Sequence, residues 1–189
     1  MKILFIDTET GGLSQNSALI QLSGIVQIDK TEAEVFNFYV KPFPNSEVTD
    51  EALAIQNRTR EEVETFEDEE IIFQKFIAIL DKYIDKYDKN DKFILASYNT
   101  SFDKEVLDRF FKRNGNNFFF SYIYGSYLDP LHMIAPLQLL NKLPVLDNNK
   151  LKTWCDYFNI PLINHDSLED VIATKKLTKE LMRLMIKNR

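Results

Sequence analysis

The order in which hydrophobic periodicity changes along this chain constrains its fold more than any other feature. Between Met1 and about Tyr39 three runs read as strands: Lys2–Asp7 is apolar, Ala18–Ile28 is rich in Leu, Ile and Val, and Glu34–Val40 alternates as Val35, Phe36, Phe38 and Val40. Gly11-Gly12 breaks the first connection, and Pro42 and Pro44 end the third strand. From Thr49 the pattern turns helical. Thr59-x-x-Glu62 has capping-box spacing, in which each side chain satisfies the other residue's free amide. The clearest amphipathic helix spans about Asp68 to Tyr87, with Ile72, Phe73, Phe76, Ile77, Leu80, Ile84 and Tyr87 recurring at helical spacing. A short strand, Phe93–Ala96, precedes a helix over Phe102–Arg113 bounded by Asn114-Gly115. Tyr127-Leu128 closes a fifth strand ahead of Pro130, and helices over about Lys150–Phe158 and Ser167–Lys187 finish the chain. Three strands followed by alternating helices and strands predict a mixed α/β sheet with helices on both faces. No internal repeat or low-complexity linker divides the 189 residues, so 1–189 reads as one domain able to bury a core.

A chain that is 44% hydrophobic and 13% aromatic is not disordered. Its single cysteine, Cys155, excludes an intramolecular disulfide and a thiolate metal site, and reads as a small buried hydrophobe on a helix. The N-terminal apolar run is too short for a signal peptide, and no stretch reaches membrane-spanning length. The expectation is a cytoplasmic protein with no membrane partner.

Residues able to carry chemistry gather at element ends. On an extended strand Asp7 and Glu9 share a face, and two adjacent buried acids call for a hard divalent cation. If the strand stops at Asp7, both acids are instead wet loop residues. Asp103 falls in the first turn of a helix above a strand's C-terminal end, where ligand sites collect in open α/β sheets. The helix dipole favours an acid there in any case, and Asn99 is placed to cap the turn. Ser167-x-x-Asp170 also has capping-box spacing, which offers Asp170 a structural role, and His165 lies in the loop just outside that helix. The other histidine, His132, sits in an apolar helical pattern and reads as core or packing.

Taken in order, these segments resemble the DEDDh family of 3′→5′ exonucleases, which includes the proofreading epsilon subunit of bacterial DNA polymerase III. Ile6-Asp7-Thr8-Glu9-Thr10-Gly11-Gly12-Leu13 looks like the family's first motif, Asn99-Thr-Ser-Phe-Asp103 like the second, and His165-x-Ser-x-x-Asp170 like the third. The stretches beginning at Glu51 and Leu151 are similar to those ahead of the second and third motifs. There are departures. Gly11 replaces a Thr, which loosens the backbone where the terminal nucleotide should lie; Tyr98 and Gln56 stand where His is frequent; and Ser167 replaces Ala, adding a cap.

The resemblance implies a ribonuclease H-like, five-stranded sheet. It implies a centre in which Asp7 bridges two Mg²⁺ or Mn²⁺ ions, with Glu9 and Asp170 at one and Asp103 near the other, and His165 as the base for water. Thr10 and Leu13 would contact the terminal sugar and base, while Asn99 and Phe102 shape the pocket beside them. The implied partner is a nucleic-acid 3′ end, with DNA favoured over RNA because Ala52–Thr59 is similar to the polymerase-associated branch. The implied product is a nucleoside 5′-monophosphate, and a role in proofreading or repair beside a DNA polymerase would suit that branch. An exoribonuclease trimming short RNA or transfer-RNA ends keeps the same site; a catalytically silent module binding nucleic acid or a polymerase keeps only the fold. A net charge of −6 speaks against extended duplex binding but not against gripping one chain end. Phe118-Phe-Phe120 reads equally as an exposed docking loop or a buried strand, and the oligomeric state is left open.

Overall fold

In the computed structural model, which describes residues 1–162 and 166–186, the three N-terminal runs are β1 (Lys2–Thr10), β2 (Leu19–Ile28) and β3 (Thr31–Tyr39). Then follow α1 (Asp50–Ile55), α2 (Arg60–Val63), α3 (Glu69–Tyr83), β4 (Phe93–Ala96), α4 (Thr100–Arg113), β5 (Ile123–Leu128), α5 (Pro130–Leu139), α6 (Leu151–Tyr157) and α7 (Ser167–Ile186). The strands lie in the order β3-β2-β1-β4-β5. Short connections make β1, β2 and β3 antiparallel neighbours, while the helical crossovers set β4 parallel to β1 and β5 parallel to β4. This is the mixed five-stranded, ribonuclease H-like sheet that was expected.

Strand alternation divides β1 between two cores. Leu4 and Ile6 face α3 and α4, where Phe73, Phe76, Leu107, Phe110 and Phe111 pack against them. Ile3 and Phe5 face the other way, against Val171 of α7. A further cluster joins α5, α6 and α7 through Ile134, Leu137, Trp154, Leu177 and Leu181. Cys155 is buried in it, and that burial pushes its thiol up to about 11. No described helix is long and apolar enough to cross a membrane.

Several local expectations change. The third helix stops at Tyr83: Ile84 turns extended yet stays buried, Tyr87 stands in solvent, and Ile79 is buried in the core that the half-buried Ile77 packs against. Thr59 does cap α2 through the Glu62 amide, but the Glu62 carboxylate pairs with Arg58 instead of returning to Thr59. Phe118-Phe-Phe120 is no strand, and Phe118 lies in the loop. A 3-10 turn over Phe119–Ser121 buries Phe119 and leaves Phe118 and Phe120 exposed. His132 is no core residue; its side chain is 64% exposed at the start of α5.

Candidate metal centre

Pairing with β2 carries β1 past its apolar part: Asp7 lies opposite Ser23 and Glu9 opposite Gln21. Both acids therefore belong to the strand, on the face that receives α7, and neither is a wet loop residue. Asp170, in the first turn of α7, completes the group. Asp7, Glu9 and Asp170 each offer a ligand oxygen, and those atoms lie within 4.8 Å of one another.

The α7 helix is held against β1 by contacts that sequence spacing misassigns. Asp166, not Ser167, caps it: the Asp166 Oδ1 accepts from the Leu168 and Glu169 amides at 3.1 and 3.2 Å. Ser167 already lies in the helix, and its hydroxyl donates to the Asp7 carbonyl at 2.7 Å. Asp170 is thereby relieved of a capping role. Across the sheet, Gln21 and Ser23 both donate to the Asn37 Oδ1, at 2.9 and 2.8 Å, and Gln21 reaches the Asp166 Oδ2 at 3.4 Å. This polar strip satisfies the buried side chains next to the acids.

Asp103 approaches from α4, on the opposite face. It does not join the three-oxygen group. The Thr8 hydroxyl donates to its Oδ1 at 2.7 Å and the Ser97 hydroxyl to its Oδ2. Its charge nevertheless reaches Asp7 and Glu9. Asn99 does not cap α4 through its side chain. It takes a left-handed conformation (φ 67°), and the buried Asp129 carboxylate accepts from the Asn99 and Thr100 amides instead. Asp129 also accepts from Leu131, so one carboxylate caps α4 and α5 together. An Asp directly before a Pro at a helix start was the legible sign of this cap.

Of the remaining candidates, Phe102 is half-buried against the core, Thr10 is buried, and Leu13 is 92% exposed on the turn after β1. Gln56 donates to the Thr10 carbonyl at 2.9 Å, which gives it a packing role beside the site. Gly11 does not loosen this backbone. Its amide donates to Ala18, its carbonyl accepts from Thr49, and a Cβ there would come within 2.5 Å of the Glu47 carbonyl. Glycine is needed for close approach. His165 lies outside the described residues.

Burial and mutual repulsion dominate the electrostatics. Desolvation, then the charges of Asp103, Asp170 and Glu9, holds Asp7 well above the usual carboxylate range. Desolvation followed by the charge of Asp170 lifts Glu9 to about 7, with Arg58 opposing weakly. Asp170 is raised to about 7 by desolvation and by Asp166, Glu169 and Asp103. Desolvation raises Asp103 to about 6 against the two hydroxyls that favour its charged form. Close, repelling, hard oxygen donors on a half-buried floor suit a divalent cation of the magnesium type.

A stability prediction follows for the metal-free protein. Unfolded, Glu9 and Asp170 titrate near 4; folded, both titrate near 7. Between those values the folded state holds protons that the unfolded chain has released, so stability falls as pH rises through this window. Each group contributes on the order of 3 kcal/mol to that loss. In EDTA, the melting temperature should drop between pH 5 and pH 7.5, and Mg²⁺ should restore more at pH 7.5 than at pH 5. A melting temperature that is flat with pH in EDTA would contradict this account.

No curated protein sequence matches the chain. Among solved structures, Escherichia coli Exonuclease I in complex with a dT13 oligonucleotide superposes with a TM-score of 0.80 at 22% identity, over 100% of this chain and 41% of that one. A zinc-bound Exonuclease I–single-stranded DNA complex from the same organism gives 0.80 at 23%, over 97% and 42%. The chain thus spans about two fifths of those relatives, and the likeness establishes the fold. The family model described as Exonuclease, of the RNase T type, matches residues 4–178, a span that takes in both β1 acids, Asp103 and Asp170, and on that match the chain belongs to this exonuclease family.

Proposed function

We propose that the chain is a divalent-metal-dependent 3′→5′ exonuclease that removes nucleoside 5′-monophosphates from single-stranded DNA. The observation that carries this reading is the convergence of Asp7, Glu9 and Asp170 within 4.8 Å, from opposite ends of the chain, with Asp103 behind them. Asp7, Glu9 and Asp170 would hold the cation, and Asp103 would hold a second from the α4 side. Bound there, a divalent cation supplies Lewis-acid polarisation of the phosphoryl oxygens and lowers the pKa of water. The chain's own residues do the rest. His165 takes the proton from the attacking water. Thr10 and the solvent-exposed Leu13 border the terminal nucleotide, and Asn99 and Phe102 form the side of its pocket at the start of α4. The Exonuclease I structures carrying DNA oligonucleotides support single-stranded DNA as the substrate.

The test incubates the purified chain with 5′-labelled single-stranded DNA and RNA in Mg²⁺, Mn²⁺ or EDTA. Expected is a ladder shortening from the 3′ end of DNA, with mononucleotides released, in Mg²⁺ or Mn²⁺ only. Preferential shortening of RNA would transfer the site to an exoribonuclease. Binding without shortening of either strand would leave a non-catalytic module.

A further inference from the structure

The C-terminal ends of the parallel strands β4 and β5 carry a further group of side chains beside Asp103, on the α4 face of the sheet and so opposite the face of Asp7, Glu9 and Asp170. Lys104 follows Asp103 directly on α4, and its Nζ lies 5.4 Å from the centroid of the Tyr127 ring. Tyr127 projects from the edge strand β5, 39% exposed, and its ring is 6.5 Å from that of His132. The His132 Nδ1 is 3.0 Å from the buried Asp129 carboxylate, which fixes the imidazole at the start of α5. Because Asp129 also caps α4, one buried group holds the two helices that present Lys104 and His132. The result is a fixed aromatic face with a cation over it, one residue along the chain from a candidate metal-site acid, in a protein whose overall charge is −6.

We propose that Lys104, Tyr127 and His132 form a platform for the nucleotides upstream of the 3′ terminus, resting on the single-strand 3′-end reading above. An aromatic ring stacks on a base of any sequence, and a neighbouring ammonium answers the phosphate backbone, which is the combination that grips single strands without reading them. The occupant is single-stranded nucleic acid because one ring and one ammonium match one base and one phosphate rather than the paired backbones of a duplex, and because Lys104 follows Asp103 directly on α4.

Binding can be measured without turnover, by fluorescence anisotropy of a labelled oligothymidylate about a dozen nucleotides long, with the protein held in EDTA. Tyr127→Ala should weaken binding about tenfold and Tyr127→Phe should retain it. Lys104→Ala should reduce the salt dependence of binding by about one phosphate contact. Tyr127→Leu, which keeps an apolar side chain on β5, gives the same readout if the alanine variant folds poorly. In Mg²⁺, Tyr127→Ala should raise KM about tenfold for the long strand while dinucleotide cleavage stays within about twofold of wild type. Unchanged affinity in both Tyr127→Ala and Tyr127→Leu overturns the platform, as does an equal loss on dinucleotide and long strand. Tyr127-dependent binding by a wild type that hydrolyses nothing would sink the exonuclease reading and leave the platform standing.

Discussion

Asp7→Asn should abolish metal-supported cleavage, lowering turnover on the order of 10³-fold or more, because polarisation by a bound cation is worth several kcal/mol of transition-state charge. Asp7 is the acid on which the others converge: Glu9, Asp103 and Asp170 all act on it electrostatically. Losing it weakens the cation group and removes its link to Asp103 together. The substitution is nearly isosteric and removes a buried like charge, so in EDTA at pH 7.5 the variant should melt no lower than wild type. That separates loss of chemistry from loss of fold. Initial rates of 3′-end release at saturating Mg²⁺, set beside melting curves, measure both. Wild-type turnover by a folded Asp7→Asn protein would remove the centre from the mechanism.

The second large effect is expected at His165, the proposed base for water. His165→Ala should reduce turnover by about 10²–10⁴-fold, the range a general base supplies. In wild type, activity should rise from acidic pH toward neutral as the imidazole loses its proton. Glu9 and Asp170 also titrate near 7 without metal, which would confuse the profile. Saturating cation favours their ionised forms and moves their titration below this range, leaving the imidazole limb. The profile must therefore be recorded at saturating Mg²⁺ throughout. His165→Ala should flatten it, and an unchanged rise in the variant would assign the limb to another group.

Most of the architecture was legible in the chain because it depends on periodicity and punctuation. Phe93–Ala96 was bounded to the residue, and the alternation around Phe36 marked β3. The errors arose where local spacing had two physical solutions. Ser167-x-x-Asp170 fits a capping box, but Asp166 stands one residue earlier and takes the amides, so Ser167 is left to tie the helix to β1. Asn99 has the chemistry of a cap, yet a carboxylate from thirty positions along the chain occupies that place. Gly11 read as slack because a glycine's freedom is visible in sequence, whereas the Glu47 carbonyl that crowds it is not. The candidate acids were found by strand alternation and ordered motifs; the hydroxyls of Thr8 and Ser97 that bond Asp103 carry no such signal, since a lone Ser or Thr at a strand or its end is common.

The placement of Asp170 on the final helix has a consequence for the protein's biosynthesis. While the chain is being made, β1 leaves the ribosome early and carries Asp7 and Glu9, but their third partner follows only after α6, and α7 must then dock across β1 and β2. Contacts of such long sequence separation form late. On the proposed function, a growing chain holds no complete catalytic centre until α7 has docked, and nucleic acid nearby is not at risk before then.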